Sequence, residues 1–136
     1  MAELPLRVGQ YALVINPKRE ILILERSRSK KWSLPGGRLD NHERDWLKAL
    51  KREIFEETGI NIKQAEPYKV NIVEDLPYQV KYCVYFIVKL DDIVEVSLAE
   101  EHSSFLWLNK NNCDTIEFEY SFVQRLVAEY LNEGEK

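Results

Sequence analysis

Residues 52–60 read Arg-Glu-Ile-Phe-Glu-Glu-Thr-Gly-Ile, and they constrain the chain more than any other stretch. Glu53, Glu56 and Glu57 stand at i, i+3 and i+4, so a helix through them puts all three carboxylates on one face. Like charges at these spacings repel by roughly a few tenths of a kcal/mol per pair on an isolated helix. A helix needing only solubility would alternate Lys with Glu. Here no Lys is interleaved, so the face needs a cation from elsewhere. A hard divalent ion that prefers oxygen, Mg²⁺ or Mn²⁺, meets that need. Gly59 suits the left-handed position that ends such a helix.

Upstream stand Leu34-Pro35-Gly36-Gly37-Arg38-Leu39, then Glu43, then a helical pattern running into Arg52. Together with the carboxylate face these residues resemble the signature of the Nudix hydrolase family, whose members cleave nucleoside diphosphates linked to another moiety. The family pattern is Gly, five residues, Glu, seven residues, then Arg-Glu-aliphatic-x-Glu-Glu-x-Gly-aliphatic. Arg52 through Ile60 match every specified position, and five residues separate Gly37 from Glu43. The next gap departs from the pattern, because residues 44–51 number eight.

One residue added inside an α-helix rotates everything before it by about 100° relative to everything after it. Trp46, Leu47, Leu50 and Ile54 already share a stripe in phase with the carboxylates. The extra residue therefore belongs near the helix start. Asp40 and Glu43 have the spacing of a capping box, with Asp40 as N-cap. Two roles then fit Glu43: a cap, or an outer group of a metal site.

The 136 residues are enough for one domain, 1–136, with a sizeable core; 45% are apolar and 31% charged, as in ordinary globular proteins. A net charge of −4 gives no general attraction for a nucleic-acid backbone. The longest apolar run, residues 82–88, is too short to cross a bilayer, and residues 1–8 do not read as a signal peptide. Cys83 and Cys113 have neither metal-ligand spacing nor a disulfide framework, and Cys83 reads as a small core hydrophobe. A cytoplasmic protein is expected.

Residues 8–16 and 21–26 read as strands joined by the turn at 16–20, and 26–31 as a basic loop leading to Trp32. A long helix is expected over 41–58, strands over 68–74 and 79–90, a short buried strand over 105–108, and an amphipathic helix over 118–132. Strands interrupted by a central and a terminal helix suggest an α/β fold with a mixed sheet between helices. The family resemblance implies the same arrangement, the Nudix-type α/β/α sandwich.

The resemblance also implies roles. Glu56 and Glu57 would bind the metal ion directly, Glu53 would be a ligand or the base that deprotonates water, and the Gly36 carbonyl would be a further ligand. Arg52 would fix the Glu56 carboxylate by a charge-assisted hydrogen bond. Relatives place another carboxylate before a late strand, where Glu100 and Glu101 stand, and Glu101 is preferred as the catalytic one. Arg26, Arg28, Lys30 and Lys31 suit substrate phosphates or a solvated loop equally, and Arg38 is another phosphate candidate. Trp32 suits stacking on a base or packing across the turn. His42 and His102 lack partners in the sequence and read as surface residues.

The expected substrate is a small-molecule nucleotide, with MutT-like hydrolysis of nucleoside triphosphates foremost. Tyr78, eighteen residues past Ile60, matches a Tyr of relatives that cut dinucleoside polyphosphates. Pro77 lies two residues from the position of a Pro in ADP-ribose hydrolases. A nucleotide-binding module without catalysis is the rival class, against which the intact Glu53, Glu56 and Glu57 argue. RNA 5′ ends would want a longer basic surface than residues 26–31. The chain would act as a monomer or homodimer.

Overall fold

Alternation along the strands builds the molecule. The computed structural model describes residue 3, residues 6–76 and residues 79–133, the side chains of 75 and 76 excepted. Strand β1 (Leu6–Ile15) sends Ala12 and Val14 to one face and Leu13 and Ile15 to the other, all buried. Strand β2 (Ile21–Arg26) divides in the same way, with Leu22 and Leu24 opposite Ile21 and Ile23. A strand with both faces apolar must be covered on both sides. Helix α1 (Trp46–Thr58) covers the first face with Leu50 and Ile54. Helix α2 (Ser121–Glu133) covers the second with Val123, Leu126, Val127 and Leu131. The result is the expected α/β/α arrangement.

The remaining strands are β3 (Trp32–Ser33), β4 (Gly36–Arg38), β5 (Glu66–Leu76), β6 (Gln79–Lys89) and β7 (His102–Leu108). All seven belong to one mixed sheet, with β3, β2, β1, β6 and β5 in order, β4 pairing β1 and β7 pairing β2. The long parallel pair is β1 with β6, from Leu6 opposite Val80 to Ile15 opposite Lys89. Strands β1 and β2 share only the pair Ile15–Ile21 and then diverge. Into that split comes β4, setting Gly36 opposite Tyr11 and Gly37 opposite Gln10. This wedge carries the glycine turn into the sheet beside α1. Cys83 is buried as expected, and the two cysteines are not bonded to each other.

Several sequence expectations shift. Helix α1 begins at Trp46, not near residue 41, because Asp45 is its N-cap: the Asp45 carboxylate accepts from the N–H groups of Leu47 and Lys48, each at 3.1 Å. Asp40 is not the cap. The N–H of Asp40 donates to Glu43 Oε1 (3.0 Å) and that of Glu43 donates to the Asp40 carbonyl (3.1 Å), which closes a turn before the helix. The extra residue is absorbed in this turn, and α1 is uninterrupted. Trp46 is 44% exposed but stacks on Phe86 with ring centroids 4.9 Å apart. Helix α2 starts at Ser121, since Phe118 instead bridges to Trp32 beside the sheet. Strand β7 is longer and less buried than expected, with Phe105 39% exposed. It lies at the sheet margin, where β2 is its one neighbouring strand among the described residues.

Deleting Arg44 tests the placement of the extra residue. Its side chain binds the carbonyls of Asn41 and Glu43, within the turn. Urea denaturation should show a loss of about 1 kcal/mol, the scale of a disturbed cap. A loss of several kcal/mol, the scale of a disrupted core, would show that the helix had been re-phased.

Candidate active site

Three segments meet at the C-terminal half of α1. The first is the glycine turn. The Gly36 N–H donates to Glu57 Oε1 at 2.7 Å, and Gly36 adopts φ +148°. A Cβ on Gly36 would collide with the Gln10 carbonyl and Tyr11 Cα, and one on Gly37 would occupy the place of the Glu53 carboxylate. The turn therefore requires glycine for close approach as well as for backbone conformation. The second is the segment before β7. The N–H groups of Ser97 and Ala99 donate to the carbonyls of Thr58 and Glu57, at 2.8 and 3.3 Å. These bonds satisfy carbonyls that the helix end leaves open, and they deliver Glu101 and His102 to Glu57. The third is the end of β2, where the Ser27 N–H donates to the Glu101 carbonyl at 2.9 Å.

Arg52 is the cation that the carboxylate face lacked in sequence. Its guanidinium donates to Glu43 Oε1 (2.8 Å) and Oε2 (3.2 Å), to Glu53 Oε1 (2.9 Å) and to Glu56 Oε2 (3.1 Å). A planar guanidinium fork with several donors is suited to hold three carboxylates at once in fixed geometry. These bonds hold the Glu43 carboxyl below the usual carboxylate range. Burial raises that of Glu53, with Arg52 opposing. Sequence reasoning found the Arg52–Glu56 bond but not the Arg52–Glu43 pair, whose members stand nine residues apart. Glu43 is thus tied to the site and also bonds the Asp40 backbone.

Glu57 is left outside that network and is only 8% exposed. Burial pushes its carboxyl up to about 8, with Glu101 and Glu53 adding to the rise and the Gly36 N–H opposing it. One oxygen of Glu57, one of Glu101 and one ring nitrogen of His102 lie within 4.8 Å of one another. Glu53 and Glu56, which the sequence grouped with Glu57, are turned onto Arg52. His102 is no surface residue, being 6% exposed, because β7 pairs it with Arg26 at the β2 bulge. Burial depresses its basicity, so the ring is held neutral. A lone His after two glutamates gave no sign of this in sequence.

The other candidates are dispersed. Arg26 forms an ion pair with Glu119 (Nε–Oε2 2.8 Å) and lines the cavity beside Glu57. Arg28 lies on an exposed rim with Glu56 and Glu101. Lys30 closes the turn with φ 61°, and its side chain is exposed. Arg38 lies in a separate shallow groove with Asp40 and Glu43. Trp32 packs in the α2-side core, as the packing reading had it. Tyr78 and Pro77 lie outside the described residues. Unforeseen was a cavity between the sheet and α2, where Tyr11, Tyr85 and Tyr120 adjoin Glu57 and His102. There the Lys81 ammonium donates to the Tyr11 hydroxyl at 2.9 Å and lies over the Tyr11 and Tyr120 rings.

The Glu57 carboxyl also gives a pH test. Its proton is bound more tightly in the folded chain than in the unfolded one, where the ordinary value is 4.5. With divalent ions chelated, this group's contribution to stability falls as pH rises from the carboxylate range, and the loss is complete above about 8. The melting temperature of the wild type minus that of Glu57→Gln should therefore decline from pH 5.5 to 8.5. A flat difference would refute it.

Comparison with known proteins agrees with this geometry. A family model described as the NUDIX domain matches residues 5–126. A Bacillus subtilis (strain 168) protein provisionally named 8-oxo-dGTP diphosphatase is 35% identical over 78 residues, covering 57% of this chain and half of that protein's length. A bis(5′-nucleosyl)-tetraphosphatase [asymmetrical] of Rattus norvegicus is 32% identical over 112 residues, 78% of this chain and 76% of that one. The crystal structure of a MutT protein from Methanosarcina mazei Go1 superposes with a TM-score of 0.82 at 26% identity, covering the whole of both chains. With the signature of residues 36–60 folded into the glycine turn and carboxylate helix described above, the chain belongs to the Nudix hydrolase family.

Proposed function

We propose that the chain hydrolyses a phosphoric anhydride bond in a nucleoside triphosphate or another nucleoside diphosphate derivative, with Mg²⁺ or Mn²⁺ as cofactor. The observation that carries this reading is the Glu57 carboxylate: buried, held by the Gly36 N–H, and lacking a side-chain cation at hydrogen-bonding distance among the described residues. A buried carboxylate without a counter-ion is costly, and carboxylate oxygens are the donors that a hard divalent ion prefers. The site thus fits the ion on its own chemistry. Glu57 and the Gly36 carbonyl would hold it, with Glu53, Glu56 and Glu101 as further oxygen donors. When bound, the ion offsets phosphate charge and acidifies water for attack at phosphorus.

The protein's own residues supply the rest. Arg52 fixes Glu53 and Glu56 so that little rearrangement is needed at the reacting phosphate. Glu53 and Glu101 are the groups suited to take a proton from water. Arg26, which lines the cavity beside Glu57, and Arg28, on the rim with Glu56 and Glu101, are the cations that would meet substrate phosphates. No helix among the described residues is long and apolar enough to cross a membrane. Cytoplasmic action on a small-molecule nucleotide is in keeping with two cysteines that form no disulfide with each other.

The test is release of phosphate or pyrophosphate from a panel of nucleoside triphosphates, 8-oxo-dGTP, dinucleoside tetraphosphates and nucleotide sugars. Metal-dependent turnover of a triphosphate supports the leading reading. Preference for a dinucleoside tetraphosphate would follow the rat relative instead. Binding without product would mean a nucleotide-binding module.

A further inference from the structure

His102 has no use in the scheme above, yet it is among the most constrained side chains near the site. Its side chain is 3% exposed, and its Nδ1 has no hydrogen-bond partner among the described residues. Its Nε2 lies 3.8 Å from Glu57 Oε2, too far for a hydrogen bond. The backbone holds it there, because its N–H donates to the Ala99 carbonyl at 3.1 Å and β7 pairs it with Arg26. A buried imidazole nitrogen without a partner lowers stability, and a ligand within reach of this ring would account for its burial. Two ligands of one ion, each about 2.1 Å away, stand at most about 4.2 Å apart. The separation of His102 from Glu57 lies inside that limit, and an oxygen of Glu101 lies within 4.8 Å of both as a third donor.

We propose that His102 supplies a nitrogen ligand to the divalent ion, beside Glu57 and Glu101, and that this mixed nitrogen and oxygen site favours Mn²⁺ over Mg²⁺. The inference rests on the metal-dependent reading above and adds to it a donor outside the sequence signature. Mg²⁺ takes oxygen ligands and keeps its waters, whereas imidazole nitrogen suits first-row transition ions. An all-carboxylate site would discriminate less between the two.

The test is spectroscopic and needs no substrate. Electron spin echo modulation of the Mn²⁺-loaded protein should show a directly bound nitrogen, and its pattern should change on labelling histidine with ¹⁵N. The chain has two histidines, so the signal should persist in His42→Gln, where the exposed loop residue is removed. In His102→Gln it should vanish, with the Mn²⁺ dissociation constant raised roughly tenfold and that for Mg²⁺ changed by less than about twofold. Circular dichroism verifies that this variant folds; if it does not, the labelled wild type and His42→Gln decide the matter alone. Mn²⁺ binding with no nitrogen modulation in the wild type would overturn the proposal. So would weaker Mn²⁺ binding in His102→Gln without any nitrogen signal in the wild type, since His102 would then only position Glu57. Nitrogen-coupled Mn²⁺ in a protein that hydrolyses no nucleotide would sink the hydrolase reading and leave the ligand assignment standing.

Discussion

Glu57→Gln should leave a folded protein whose metal-dependent turnover falls by at least roughly 100-fold, the upper end of the loss caused by groups that only orient metal ligands. Gln preserves the shape of the side chain, and its carbonyl can still accept the Gly36 N–H. What it removes is a buried carboxylate charge that Arg52 does not reach. Without metal the variant should be more stable than the wild type above pH 8, because no charge is buried there. Mg²⁺ or Mn²⁺ should raise the melting temperature of the wild type, by preferential binding to the native state, and barely change that of the variant. Paired kinetics and melting curves measure both. Near-normal turnover in a folded Glu57→Gln protein would remove Glu57 from the metal site.

Arg52→Lys should cost roughly 10- to 100-fold in kcat/KM, the range for groups that hold ligands in place. The substitution keeps the charge but loses the fork, and an ammonium on a flexible stem cannot serve Glu43, Glu53 and Glu56 together. The freed carboxylates would then be ordered only when metal arrives, so the metal concentration needed for half-maximal rate should rise with the loss of kcat. Stability should change little, because the side chain is about one-third exposed and surface ion pairs contribute about 0–1 kcal/mol. A kcat/KM within twofold of wild type would show that rotamer control by Arg52 is unimportant. A rise in KM alone would show instead that Arg52 meets the substrate.

Much of this was legible in sequence because it is local. Glu53, Glu56 and Glu57 lie on one helix, so their shared face follows from its period, and Gly59 ends that helix as its type requires. The order of strands and helices along the chain announced a mixed sheet covered on both sides. What escaped depended on register between distant strands. His102 reaches Glu57 only because β7 pairs with β2 and residues 97–101 cross the end of α1. The tyrosine cavity depends on β1 lying parallel to β6, which sets Tyr11 beside Tyr85. Neither pairing leaves a periodic trace. The start of α1 was misjudged for another reason: Asp40 and Glu43 have capping-box spacing, but Glu43 also serves Arg52, and Asp45 offers an equally good cap.

The parallel pairing of β1 with β6 bears on how the molecule assembles. It joins residues more than seventy positions apart, and closing so long a loop must precede the contacts that reward it. The pairing of β7 with β2 spans a similar distance, and the donors at Gly36, Glu57 and His102 converge only once it is made, so a half-folded chain offers the ion no complete site. The ion should therefore act late. In stopped-flow measurements Mg²⁺ or Mn²⁺ should slow unfolding and leave the folding rate nearly unchanged, as expected for contacts absent from the transition state.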